Sequence, residues 1–334
     1  FEASGVRTSG TGVTLGVPTG TTKEHGFSLK LLKGKLYAKV NWYETNENDA
    51  SSSGGLFRWR IPGVENRFYQ ELRQIGRLDL WTDPNFAYGL NCDDGEMSSC
   101  SGNIPGLTDV ANSTTTGMEI EVVVNPFPNW RVMFNVGKSQ AVLKNRQFYT
   151  SQYVAERIPV WSQFWDTPVN GNFCTLNWGA TMKDCYNGLL GSVLAGNLLF
   201  EGRPTQQLRE WRWNFVTTYD FEEGLFKDFS VGGAGRWEQG AKIGNPVIYT
   251  ADGLPTSDLA NPYSGPDRFG ADFWIGYHRK IFDNRVNWKI QLNVRNAFSG
   301  ENSTYPTHAQ PDGSYQLIAI SEPREFFITN TFSF

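Results

Sequence analysis

The chain has 334 residues, a formal net charge of −4 and a sequence pI near 5.5, with no Lys/Arg block, which excludes a nucleic-acid partner. Charged residues make up 19% of the chain against about 25% in average soluble domains, while 14% are aromatic and 35 are Gly. Mean hydropathy is −0.42, and the longest apolar stretch, Gly188 to Phe200, falls short of the roughly 20 residues of a spanning helix, so a bundle of membrane helices is excluded. The chain opens at Phe1 with neither Met nor a signal peptide, so a preceding segment is expected.

Taken in chain order, the dominant pattern is alternation. Leu36, Ala38, Val40 and Trp42 alternate with Tyr37, Lys39, Asn41 and Tyr43. Met118, Ile120, Val122 and Val124 alternate with Glu119 and Glu121. Trp211, Trp213, Phe215 and Tyr219 stand against Glu210, Arg212, Asn214 and Asp220. Phe269, Ala271, Phe273, Ile275 and Tyr277 repeat the period. Val286, Trp288, Ile290, Leu292 and Val294 then alternate with Asn287, Lys289, Gln291, Asn293 and Arg295. A period of two with one greasy and one polar face is a strand between two different environments. Strands are expected at 23–32, 35–45, 114–125, 130–143, 207–221, 228–240, 268–281, 286–298 and 323–334, about nine in all, with 315–320 as an extension. The runs exceed the roughly 5–6 residues of a mean globular strand and reach the roughly 9–11 of a tilted transmembrane strand.

A soluble sandwich also alternates, so connection lengths decide between the two. Residues 33–34, 125–129, 222–227 and 282–285 read as tight turns. Residues 46–113, 144–206, 241–267 and 299–322 are long connections, and short and long take turns along the chain. Compact soluble domains seldom hold structureless loops beyond about 12–15 residues, whereas an outer-membrane barrel has short periplasmic turns and long extracellular loops. Phe127, Trp130, Phe226, Phe229, Phe282, Trp288, Phe332 and Phe334 flank the short turns or the terminus; Trp42, Trp211, Trp213, Trp237 and Phe298 lie at the other strand ends. Two such belts fit the two interfaces of a membrane. The expected fold is therefore an all-β, antiparallel transmembrane β-barrel. With the short turns periplasmic, the first and last strands both descend. Residues 1–334 are thus expected to be the C-terminal segment of one larger barrel domain, opening in an extracellular loop at 1–22 and ending with a periplasmic C-terminus.

Several segments are similar to the end of a TonB-dependent outer-membrane receptor. The last strand, with Phe326, Ile328, Phe332 and Phe334, resembles the assembly signal of outer-membrane proteins, while Asn330 departs from its apolar series. Leu292 through Phe298 resembles the family's penultimate strand, and Gly117 to Glu121 followed by Asn125-Pro126 and Asn129-Trp130 resembles one of its recurrent hairpins. Thr22 to Gly26 resembles the start of another. The resemblance implies a barrel of about 22 strands closed by an N-terminal plug, which is not found in this chain. It implies active uptake of a scarce solute such as an iron chelate, cobalamin or an oligosaccharide. It further implies outer-membrane lipid, the barrel-assembly machinery and a TonB–ExbB–ExbD complex acting on the absent plug as partners. Inward-pointing Arg212, Asn214, Asn287, Lys289, Asn293 and Arg295 are then expected to face the lumen, either contacting solute or simply hydrating it and docking the plug.

Cys92 and Cys100 share one long loop, and Cys174 and Cys185 another. Even number, local spacing and a noncytoplasmic setting favour disulfides Cys92–Cys100 and Cys174–Cys185 over a metal site, which would need C-x-x-C spacing or nearby His. Asp93-Asp94-Gly95-Glu96 is either a solvated acidic turn or a Ca²⁺ loop. In the second Cys loop, Trp161, Phe164, Trp165 and Trp178 either line a ligand vestibule or form the core of a folded loop, and Leu189 to Leu199 has helical spacing. No Gly-rich phosphate loop and no Ser/His/Asp or Cys/His set presents itself, so neither an enzyme nor a resident cofactor or metal is expected. The rival readings are an adhesive or structural surface barrel whose disulfide-clamped loops contact proteins, and a soluble secreted β protein.

Overall fold

The computed structural model describes residues 7–52, 56–80, 108–168, 179, 181–251, 255–283, 285–300 and 303–334. The alternating segments form nine long strands: β1 (Thr19–Leu31), β2 (Leu36–Ser52), β3 (Asp109–Phe127), β4 (Trp130–Lys144), β5 (Trp211–Asp220), β6 (Phe229–Glu238), β7 (Arg268–Ile281), β8 (Val286–Arg295) and β9 (Glu325–Ser333). They make one nine-stranded antiparallel sheet in which each strand pairs with its neighbours in sequence, with no crossover. Lengths run from 9 residues in β9 to 19 in β3, so each strand meets the roughly 9–11 residues a tilted crossing requires.

Where strand ends differ from the sequence expectation, local chemistry explains the shift. β8 stops at Arg295 because Asn296 takes a left-handed conformation with φ 49°. β2 and β3 run on to Ser52 and from Asp109, and side-chain bonds join the added lengths: the Thr114 hydroxyl donates to Asn46 at 2.8 Å, and the Asp49 N–H donates to Asn112 at 3.0 Å. Three of the expected short turns are made with left-handed residues, Lys33 and Gly34 between β1 and β2, Gly224 and Asp228 between β5 and β6, Phe282 and Asp283 between β7 and β8.

The chain divides into two compact units: residues 1–21, 45–114 and 142–204, and residues 22–44, 115–141 and 205–334. The second unit carries most of the sheet. Its register places Trp213 opposite Trp237, Phe273 opposite Val294, and Leu292 opposite Ile328 on one face. On the other face, Asn214 pairs with Arg236, Arg212 with Glu238, and His278 with Lys289. The apolar face stays open: Phe326 is 66% exposed and Ile328 64%. A water-soluble sandwich would bury such a face; a bilayer covers it without protein.

At the short-turn end, rings touch in series across that sheet: Phe127 with Trp130, Trp130 with Tyr219, Tyr219 with Phe221, Phe226 with Phe229, Phe229 with Tyr277, and Tyr277 with Trp288. At the other end, Phe134, Trp213, Phe269 and Phe298 make a second series with centroids 6.1–6.3 Å apart. On the opposite, polar face of β6 a Cβ on Gly232 would sit 2.2 Å from the Trp274 ring, so the indole occupies the space a side chain would need.

The first unit is helical and packs in the opposite sense. It holds α1 (Ile61–Gln74), α2 (Phe148–Trp161), α3 (Met182–Tyr186) and α4 (Ser192–Leu198), with a π turn at Asn187–Gly191 before α4. The helical spacing from Leu189 onward is thus realised. α1 buries Ile61, Val64, Phe68 and Leu72 at i, i+3, i+7 and i+11, and Pro62 opens it where no intrahelical N–H is needed. α2 is capped from a distance: the buried Asp109 carboxylate accepts the N–H groups of Tyr149 (3.0 Å) and Thr150 (2.9 Å). A Thr181/Asp184 capping box starts α3.

Inside this core Arg157 of α2 forks onto Glu65 of α1 at 2.5 and 2.9 Å, and the Tyr153 hydroxyl donates to Glu65 at 2.7 Å. Burial and the Glu65 charge push the Tyr153 phenol far above its ordinary pKa, so it stays a donor.

Candidate functional site

The chemistry-bearing surface is the polar face of the sheet in the second unit. Most of its residues come from every second position of β2 to β8, so period-two geometry gathers them. One hollow of about 480 Å³ is lined by Lys39, Asn41, Glu119, Glu121, Asn135, Arg212, Asn214 and Glu238. A second, of about 540 Å³, is lined by Arg212, Asn214, Arg236, Glu238, Arg268, Asn296, Tyr305 and Glu322 among others. Arg212 and Asn214, both expected on this face, line both hollows.

A fixed polar network floors the second hollow. Arg236 donates to Asp272 at 2.7 Å and also to the side-chain oxygen of Asn296. The Asn296 N–H donates to the other Asp272 oxygen at 2.8 Å, and its amide group donates to the Pro323 carbonyl at 3.2 Å. Three strand ends and the segment leading into β9 are thereby tied at one point. Glu238 lies 3.6 Å from both Arg209 and Arg268, and the Arg268 guanidinium lies 4.6 Å over the Tyr305 ring. These pairs are part exposed and worth at most about 1 kcal/mol each, so their contribution is geometry rather than stability. Such a surface can hold a polar solute by charge and hydrogen bonding. Among the described residues no three His, Cys, Asp or Glu side chains converge on a metal position.

The other expected residues divide. Asn287, Lys289 and Asn293 share the polar face, opposite Lys280, His278 and Trp274, but line neither hollow. Arg295 ends the row with its guanidinium 4.9 Å over the Phe327 ring. Phe326, Ile328 and Phe332 lie on the apolar face opposite Val294, Leu292 and Trp288, and Phe334 follows the end of β9, almost wholly exposed. Asn330, the departure from the apolar series, accepts the Trp288 indole N–H at 3.2 Å, so its amide oxygen is not left unpaired on that face.

In the helical unit Trp161 is 0% exposed and Phe164 is buried beside it, while Trp165 makes an edge contact with Tyr186 at 4.9 Å. A fully buried Trp161 ring packs against protein and presents nothing to solvent. Trp178, Cys92, Cys100, Cys174 and Asp93–Glu96 lie outside the described residues. Cys185 is buried in the helical core and carries no free thiol.

Sequence reasoning missed Arg236, Asp272 and Asn296. The usable signal was parity: Arg236 and Asp272 fall on the polar positions of β6 and β7, but the run Gly232, Gly233, Ala234, Gly235 hides the alternation around the first.

No family model matches the chain, and no curated protein does. Solved structures do. The ferripyoverdine receptor of the outer membrane of Pseudomonas aeruginosa, bound to ferripyoverdine, superposes with a TM-score of 0.50 at 15% identity, covering 97% of this chain and 28% of the receptor. FpvAI in its complex with pyocin S2 superposes with a TM-score of 0.50 at 15% identity, covering 98% of this chain and 29% of that one. Both are TonB-dependent outer-membrane receptors, and the nine-stranded sheet has the fold of a portion of such a β-barrel. The chain spans under a third of the length of the receptors it resembles, at 28–29%.

Proposed function

We propose that the chain is the C-terminal barrel portion of a TonB-dependent outer-membrane receptor that takes up a scarce solute, with ferric chelates the first class to test. The observation that carries this reading is the two-faced wall: an exposed apolar face with ring belts at both ends, backed by a face of Arg, Asn, Lys and Glu. A membrane pore needs both at once. The neighbours named for ferripyoverdine favour ferric chelates over cobalamin and oligosaccharides. Energy would reach the wall from a TonB–ExbB–ExbD complex through a plug supplied by the rest of the protein. The long loops would be extracellular, the short turns and Phe334 periplasmic, and Phe334 with Phe332, Ile328 and Phe326 would be read by the barrel-assembly machinery. Pairing Cys174 with Cys185 would tie the loop before α3 to the helical core, and Cys92 would pair with Cys100.

The test begins with the intact mass of the mature protein extracted in detergent, expected well above 37.6 kDa. A strain lacking the gene is then assayed for uptake of ⁵⁵Fe-labelled ferric chelates, labelled cobalamin and labelled oligosaccharides, with and without a protonophore. Energy-dependent uptake of one ferric chelate, lost on deletion, is the expected result. A detergent-extracted protein of 37.6 kDa with no associated fragment, or unchanged uptake of all three classes with loss of surface adhesion, overturns the reading.

A further inference from the structure

The connection from β8 to β9 carries the wall further. Within it the strands Thr304–Ala309 and Tyr315–Ile320 form an antiparallel hairpin. Between the β8–β9 pair and this hairpin the two segments stay bonded. The Asn296 amide donates to the Pro323 carbonyl at 3.2 Å, the Ser299 hydroxyl to the Glu322 carbonyl at 2.8 Å, and the Ser321 N–H to the Ser303 carbonyl at 2.8 Å. Residues 315–333 therefore follow one border of the sheet, with Tyr315–Ile320 at the long-loop end and β9 continuing toward the short turns.

The two sides of the hairpin differ. On the inner side it is fixed: the Tyr263 hydroxyl donates to the Pro311 carbonyl at 3.1 Å, Gln207 meets His308, and the Arg268 guanidinium covers the Tyr305 ring. No described strand pairs with the outer edge of Tyr315–Ile320. Because the Ser321 N–H points inward, to Ser303, alternation turns the N–H and C=O groups of Ile318 and Ile320 outward. Pro306 opposite Ile318 agrees, since it has no N–H to give to the ladder at that position. The edge carries neither charge nor Pro, two of the usual guards of a strand left open. Its apolar side chains stand out on both faces: Leu317 is 53% exposed on one, Ile318 and Ile320 59% and 76% on the other. A bilayer covers one face of a wall and bonds no backbone, so it cannot satisfy this edge. A further strand does both.

We infer that residues 315–320 pair with an extension of the strand that closes the barrel against β9, supplied by the part of the protein outside residues 1–334. The inference rests on the barrel reading, in which the β9 border must find a partner. A strand already zipped to β9 reaches Ile320 and Ile318 in the same pass, with no new encounter. The border from Tyr315 to Ser333 equals β3 in length, 19 residues, so this wall already contains a strand long enough. The closing strand thus crosses the membrane and continues outside it, tying the last extracellular hairpin to the other end of the barrel.

The test is hydrogen exchange at single-residue resolution on the full-length protein in detergent, with its oligomeric state read by native mass spectrometry. In the monomer the Ile318 and Ile320 amides are expected to exchange about tenfold or more slower than in an unstructured chain. Ile318→Pro removes an outward N–H that the hairpin itself does not use, and is expected to return the Ile320 amide to the unstructured rate. A photo-reactive benzoylphenylalanine at position 318 identifies the partner, with a crosslink expected to a segment of the same molecule outside residues 1–334. Fast exchange at Ile318 and Ile320 while β9 stays protected, unchanged protection in Ile318→Pro, a crosslink to a second copy, or crosslinks only within residues 1–334 overturns the inference. If Ile318→Pro fails to assemble, wild-type exchange and the crosslink decide. A protein that needs no detergent, or β9 amides that exchange freely, would instead overturn the barrel reading beneath it.

Discussion

In the sheet, Phe326 and Ile328 are 66% and 64% exposed; in the helical unit, Phe57, Ile61 and Trp161 are 0% exposed. The same residue types are placed on the outside of one region and the inside of the other. The helical unit follows the ordinary logic of water, with apolar stripes inward and its charges outward or paired. The wall follows the logic of a solvent that is itself apolar on one side only. One chain is therefore adapted to two media, and exposure rather than composition tells them apart.

The sharpest way to break this comparison is to strand a charge in the helical core. R157M leaves Glu65 buried without its fork and is expected to cost about 3–5 kcal/mol. It should melt the helical signal in circular dichroism well below the strand signal of the detergent-purified protein. The double variant E65L/R157M removes both charges and is expected to recover most of that loss.

Next in size is a test of the faces. L292R puts a cation on the apolar face and is expected to destabilise the folded barrel by about 2–4 kcal/mol if it lies near mid-bilayer. N293R, one residue on and facing the other way, should change stability by well under 1 kcal/mol in the same urea refolding assay into lipid vesicles. Equal effects at both positions would erase the distinction between the two sides.

A smaller effect is expected from D109A, which strips the Tyr149 and Thr150 N–H groups of their acceptor and should cost about 1–2 kcal/mol, read from the helical melting transition. The smallest concerns pH. Asp258 and Asp312 sit in exposed turns, and side-chain bonds from Asn261 and Ser314 respectively hold each carboxyl below its ordinary pKa. A carboxylate with a lowered folded pKa supports its turn fully above the unfolded value near 4 and loses that support as pH falls through the folded one. Carboxyl ¹³C titration should place both midpoints below those of N261A and S314A, respectively.

The wall was legible because a period of two survives at nearly every strand, and because Val286 to Arg295 states it without interruption. The helical unit was far less so. α1 lies within residues read as one long connection, since its buried face includes Glu65 and Glu71, which break an apolar stripe on paper; Glu71 pairs with Arg67 one turn earlier, whereas Glu65 meets Arg157 only in three dimensions. α2 was hidden by Pro159 inside it and by a cap, Asp109, distant in sequence. Arg212 and Asn214 could be placed from parity alone. The Arg236–Asp272–Asn296 knot could not, because no segment contains more than one of its members and the left-handed turn at Asn296 is a property of the folded backbone.

The fork between Arg157 and Glu65 also bears on how the protein comes to be assembled. Each helix alone carries a charge that it cannot take out of water, and each becomes fit for the core only when the other arrives. Neither α1 nor α2 can be stored half-packed. The helical unit should then close as a single cooperative event late in chain delivery, after α2 has emerged, while hairpins of the wall, whose partners are next in sequence, can zip one after another.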